Sequence, residues 1–199
     1  MKHRPPSSDT QPTMSHTMPQ AIRLAYEKWG VEKYYQQYGA DYSNPHQHYI
    51  FDLLQQTHTK INYSQVLDLC CGAGEVTSSL RTLGYDDVTG CDPFTQAAYL
   101  QKTGLTCLPF DFKQIAQGAL SGTHYSTIIC SFALHLCPPS LLYTTLYQLF
   151  ECTSHLVIIT PHKRPDLGIY PEFECFEQAI SYTRKKKAVR LKAYRRVSQ

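Results

Sequence analysis

The chain has 199 residues, a formal net charge of +3 and 42% hydrophobic residues, which bounds it to one globular domain plus a tail and excludes a wholly disordered chain. No apolar run approaches the ~18 residues of a membrane-spanning helix, so no membrane partner is indicated. The charge is too small to imply a nucleic-acid partner by itself.

Residues 1–18 are polar and rich in Pro, Ser, Thr and His, without the apolar core of a secretory signal. A disordered leader is expected there, with a cytoplasmic location and reduced thiols for the eight cysteines. Residues 19–38 carry Ile22, Ala25, Tyr26, Trp29 and Tyr34 at helical spacing, and Gly39 can end that helix. A second helix is expected over 46–59, with Ile50, Leu53 and Leu54 on one face. These N-terminal helices, 19–60, precede the main domain, 61–199.

From residue 65 the pattern alternates. Strands are expected at 65–69, 87–91, 106–110, 125–132 and 155–160, with helices at 74–83, 94–102, 112–120 and 140–152. Five short apolar runs separated by helices indicate a parallel sheet covered on both faces, with right-handed crossovers. Residues 173–183 read as strand or helix, and 184–187 as a turn. Residues 188–197 alternate, with Val189, Leu191 and Ala193 on one side and Arg190, Lys192, Tyr194 and Arg196 on the other. That period of two predicts a half-exposed strand and an antiparallel hairpin closing the sheet. The fold class expected is α/β: a Rossmann-like, doubly wound, mostly parallel sheet with an antiparallel C-terminal strand.

Two segments carry the chemistry. Val66-Leu67-Asp68-Leu69-Cys70-Cys71-Gly72-Ala73-Gly74-Glu75 is an apolar run that breaks into two glycines, where backbone can approach a ligand closely. Val88-Thr89-Gly90-Cys91-Asp92-Pro93 is a second run ending in a carboxylate, about 18 residues beyond Gly74 and near the ~20 of a nucleotide-binding β-α-β unit. Such a carboxylate can accept hydrogen bonds from a ribose diol. A dinucleotide site wants a third glycine where Thr77 stands, and an anion would be repelled by Asp68 and Glu75 together. S-adenosylmethionine, with an ammonium, a sulfonium and no phosphate, suits these charges better. A dinucleotide oxidoreductase is the distant alternative, and no metal-ligand spacing is present.

These segments resemble the class I S-adenosylmethionine-dependent methyltransferases. Asp68 to Gly74 resembles the glycine-rich first motif of that superfamily, and Gly90-Cys91-Asp92-Pro93 its acidic second motif. Leu108-Pro109-Phe110-Asp111-Phe112 resembles the segment that holds the adenine. Ile128 to Leu136 resembles the motif after the fourth strand. The likeness covers 64–161, is specific for the cofactor, and is poor for the substrate. It implies a seventh, antiparallel strand, in agreement with the hairpin.

The cofactor-binding candidates are Asp68, Cys70, Gly72, Gly74, Asp92, Pro93, Asp111, Phe112 and Ser131. Asp68, Asp92 and Asp111 could each instead cap a helix. His135 and His162 compete for the role of catalytic base, since an imidazole can take a proton near neutral pH. The resemblance also implies that the N-terminal segment forms a lid, which would bring Tyr38, Tyr42, Asn44 and His46 to cofactor or substrate. Lys163 and Arg164, after the fifth strand, would suit an anionic acceptor. A methyl group transferred to a small molecule is the expected reaction. The alternatives are an RNA or protein acceptor docked on the basic segment 184–196, which holds eight Lys or Arg and no acid, and a non-catalytic protein that binds S-adenosylmethionine. Oligomeric state is open.

Overall fold

The structure, a computed structural model, describes residues 46–197. The expected leader, the helix over 19–38 and the lid residues Tyr38, Tyr42 and Asn44 lie outside the described residues.

Twelve elements follow one another. They are α1 (Gln47–Thr57), β1 (Val66–Leu69), α2 (Glu75–Thr82), β2 (Val88–Cys91), α3 (Gln96–Thr103), β3 (Cys107–Leu108), α4 (Phe112–Ala116), β4 (Thr127–Ser131), α5 (Pro139–Cys152), β5 (His155–Thr160), β6 (Phe173–Tyr182) and β7 (Ala188–Arg196). The strands form one seven-stranded sheet in the order β3-β2-β1-β4-β5-β7-β6. The first five are parallel, and β7 runs antiparallel between β5 and β6. The central strands β1 and β4 bear buried side chains on both faces because helices cover both.

The two faces have separate cores. One packs Ile115 of α4 and Leu146, Leu149 and Phe150 of α5 against Leu67, Ile128 and Leu156 of the sheet. The other packs Ile50, Leu53 and Leu54 of α1 and Val76 and Leu80 of α2 against Val66, Ile129 and Leu191. The segment containing α1 is therefore part of the packing of the sheet, and Tyr49 Oη accepts a hydrogen bond from Arg184 N at 3.3 Å across to the β6–β7 turn.

Several expected bounds shift for local reasons. β4 is shorter than 125–132: Tyr125 makes only an isolated bridge to Thr153, and Phe132 leaves the strand at φ 55°. β3 keeps two of the five expected residues, where Asp92 N donates to Leu108 O at 2.9 Å. α4 ends at Ala116, before Gly118 at φ 90°. Residues 173–182 resolve as strand, with a register irregularity between Cys175 and Glu177. Tyr194, assigned to the exposed side of β7, is buried, because Leu167 and the segment after β5 join the core on that face. Among the described residues no helix is long and apolar enough to cross a membrane. All eight cysteines are free.

Candidate active site

The parallel strands end at one edge of the sheet, where open α/β sheets bind ligands. Among the described residues, two of the three non-glycine residues with positive φ stand at this edge: Cys70 after β1 and Phe132 after β4, both at φ 55°. Strained backbone of this kind concentrates at functional sites.

The turn after β1 brings the acids together. Asp68 is fully buried; its Oδ2 accepts from Thr77 N at 3.1 Å and from Thr77 Oγ1 at 2.7 Å. Thr77 Oγ1 lies 3.0 Å from Tyr99 Oη. Asp68 thus holds the first turn of α2, yet its Oδ1 has no hydrogen-bond partner among the described residues. Burial pushes the Asp68 carboxyl up to about 8, against the pull of the Thr77 hydrogen bonds. Asp92, at the end of β2, accepts from Phe94 N at 2.8 Å and Thr95 N at 3.1 Å through Oδ1, and from Gly72 N at 3.3 Å through Oδ2. Burial raises its carboxyl as well. Pro93 follows, half-buried. Capping and ligand binding need not be alternatives at these carboxylates, since each oxygen has two lone pairs.

Gly72 and Gly74 have φ 55° and 90°. A Cβ on Gly74 would strike Thr103 Cγ2 and come within 3.2 Å of the Tyr99 ring, so packing against α3 is itself a reason for glycine there. Asp111 accepts from Gln114 N at 2.7 Å in a capping box that starts α4. Phe112 packs partly buried on the α4–α5 core, and Ser131 is half-buried at the last position of β4. The Cys70 thiol is held protonated by its hydrogen bond with Cys130 and by burial, which fits a wall residue and not a nucleophile.

The other half of the edge is made by the ends of β4 and β5. His135, on a 3₁₀ turn (Leu134–Leu136), has its ring centroid 4.5 Å from that of His162. Burial, and then His162, lower its affinity for a proton. His46 stacks on Phe132 at 5.1 Å with 8° between the rings. A cleft of about 810 Å³ opens beside them, lined by His46, Tyr49, Phe132, His162, Arg184 and Lys187 among others. Lys163 and Arg164 are exposed on the loop after β5.

Residues 42–194 match the family described as methyltransferase domain. An uncharacterised protein of Schizosaccharomyces pombe is 31% identical, over 79% of this chain and 81% of its own. The chain belongs to the methyltransferase-domain family.

Solved methyltransferases share its fold. Magnesium protoporphyrin IX methyltransferase from Synechocystis PCC 6803, crystallised with S-adenosylmethionine, superposes with a TM-score of 0.58 at 19% identity, covering 87% of this chain and 95% of that one. The N-methyltransferase NodS from Bradyrhizobium japonicum, in complex with S-adenosylhomocysteine, gives 0.62 at 14% identity, covering 89% and 98%. The class I fold inferred from the glycine turn and the C-terminal hairpin is thereby established, and the chain is an S-adenosylmethionine-dependent methyltransferase.

The residues at the β1 and β2 turns fit that cofactor. A buried carboxylate oxygen at Asp68 with no hydrogen-bond partner among the described residues, near a glycine turn closed onto Asp92, is an arrangement a cation stabilises and an anion does not. The Glu75 part of the expected electrostatics needs correction: its carboxylate pairs with Lys102 at 3.1 Å, which offsets its charge. Preference for a cation therefore falls to Asp68 and Asp92. Sequence reasoning noted Thr77 only as a missing glycine, whereas it is the residue that fixes Asp68. It also missed Tyr99, and it named Gly90 within the second motif without the packing reason for it: an added Cβ would come within 2.9 Å of Cys107 Cβ. The cleft wall from Tyr49 was missed; the basic segment 184–196 was singled out as a docking surface, but its place beside the cleft follows only from the antiparallel hairpin.

Proposed function

We propose that this methyltransferase methylates a small molecule held in the cleft between His46 and Phe132 on one side and the β6–β7 turn on the other. The observation that carries this reading is the His135–His162 pair at 4.5 Å, set where β4 and β5 end beside that cleft.

Gly72, Gly74, Asp68 and Asp92 would hold S-adenosylmethionine, with Asp111, Phe112, Ser131, Cys70 and Pro93 around them. The cofactor supplies a methyl group on a cationic sulfur, which is already a strong electrophile. The protein's task is then alignment and exclusion of water. His135, kept neutral by burial and by its neighbour, accepts the proton that the acceptor's nucleophilic atom releases. The His162 ring lies beside it, with ring centroids 4.5 Å apart. His46, stacked on Phe132, lines the cleft.

A larger acceptor is the second reading. Arg184, Lys185 and Lys187 line the same cleft, and an RNA bound there would be lost steeply with salt. The test is incubation with donor labelled in its methyl group against separate metabolite and RNA pools. Label in a low-molecular-weight product supports the proposal. Label recovered only in RNA or protein overturns it in favour of the larger acceptor.

A further inference from the structure

A second cavity, of about 340 Å³, lies under the C-terminal end of β5. Strand register explains its character. On this face the row Leu156, Tyr194, Cys175 belongs to the core. The next row is Ile158, Lys192, Gln178, and the one beyond it Thr160, Arg190, Ile180. Toward the ligand edge the sheet surface thus turns from apolar to cationic.

Arg190 and Lys192 stand two residues apart on β7, so they share a face at roughly 7 Å along the strand. Both are half-buried. Lys163, from the loop after β5, lines the same cavity. Among the described residues none of these three forms a salt bridge, although Arg195 and Arg196 on the same strand pair with Glu174 and Glu151 at 2.8 and 2.7 Å. The acid that lines the cavity is Asp166, whose Oδ1 accepts from Gly168 N at 3.2 Å. Half-buried like charges side by side repel and lose hydration, and an anion between them reverses both penalties. The planar fork of an arginine beside two ammonium groups suits a carboxylate or phosphate oxygen set.

We propose that this cavity seats an anionic group, carboxylate or phosphate, of the methyl acceptor. The proposal deepens the methyltransferase reading and rests on it. His162 lines both this cavity and the larger cleft. An acceptor anchored by its anion at Arg190 and Lys192 therefore extends past His162 toward His135, with its nucleophile at the cofactor side.

The test uses the full chain, with inorganic phosphate and acetate as probes against chloride at constant ionic strength. Melting temperature is read for the wild type, Lys192→Met, Arg190→Met and Lys163→Ala, the last an exposed loop change that spares the sheet. One of the two probes is expected to raise the wild-type melting temperature by several degrees beyond chloride. The shift should vanish in Lys192→Met and Arg190→Met and shrink severalfold in Lys163→Ala. A response to phosphate alone assigns a phosphorylated acceptor, and one to acetate alone a carboxylate. No response beyond chloride, or an equal response in all three variants, overturns the proposal. S-adenosylmethionine is titrated into the same samples. Failure of the wild type to bind it would overturn the methyltransferase reading, whereas the anion responses judge this cavity separately.

Discussion

The two halves of the ligand edge are built from opposite charges. Around the ends of β1 and β2 the buried ionisable side chains are acids: Asp68, Glu75 and Asp92. Around the ends of β4, β5 and β7 stand His135, His162, Lys163, Arg190 and Lys192, with Arg184 to Lys187 on the turn above. Asp68 and Asp92 are fixed by donors of the turns and helices that follow β1 and β2, and Glu75 is paired with Lys102. The bases are brought together by an antiparallel pair added at the far side of the sheet. On the reading proposed above, one edge would offer a cationic cofactor and an anionic acceptor separate places, and the division of charge follows the topology rather than any single motif.

Loss of His135 should have the largest consequence. His135→Ala is expected to lower methyl transfer by about 10²–10⁴-fold, the usual contribution of a general base, while leaving cofactor affinity unchanged. Its proton affinity is lowered by burial, so the wild-type rate should hold to a pH below the ordinary imidazole value of about 6.5 and fall beneath it. The variant's pH–rate profile should lack that limb. A normal profile in the variant would move the base role to His162.

On the acidic side, Gly74→Ala combines a left-handed φ with a Cβ aimed at Thr103 and Tyr99. A loss of about 2–4 kcal/mol in denaturant unfolding is expected. Asp92→Ala strands the backbone donors of Gly72, Phe94 and Thr95 and should cost about 1–3 kcal/mol, together with most of the cofactor affinity.

Asp68→Asn should separate stability from binding. The Asp68 carboxyl is pushed up to about 8, above its ordinary 3.8. Stability linked to its proton is therefore complete below about pH 4 and is lost as pH rises through about 8. The asparagine variant should match the wild type in stability in acid and exceed it at pH 9, while its deficit in S-adenosylmethionine affinity should widen as pH rises towards about 8 and the wild-type acid ionises. Parallel stability curves would place the Asp68 charge in water rather than in the core. The smallest effect is expected at Lys60→Ala. Its partner is Glu177 at 3.0 Å, but the lysine side chain is 57% exposed, and a change under about 1 kcal/mol follows.

The parallel half of the fold was legible because β1, β4 and β5 are short, mostly apolar runs, and β1 and β4 each lead into a segment of helical period, α2 and α5. The residues of β5 coincide with the expected strand, 155–160. The glycine turn and Asp92 were legible because their roles depend on spacing within one unit. What escaped the sequence was what nonlocal packing decides. Gly74 looks like a ligand glycine, yet Tyr99 and Thr103 of the next helix also demand it. Tyr194 alternates as if exposed, but Leu167 and the segment after β5 cover it. Arg190 and Lys192 look like a solvated strand face until the register with Ile158 and Thr160 places them against a cavity.

Titration of S-adenosylmethionine into wild-type and Asp92→Ala protein by calorimetry, with folding checked by circular dichroism, tests the acidic half most directly. The expected result is saturable binding by the wild type and at least a tenfold loss, about 1.4 kcal/mol, in a folded variant. Equal affinity in the two proteins, or no binding by the wild type, would contradict the assignment of the cofactor to the turns of β1 and β2.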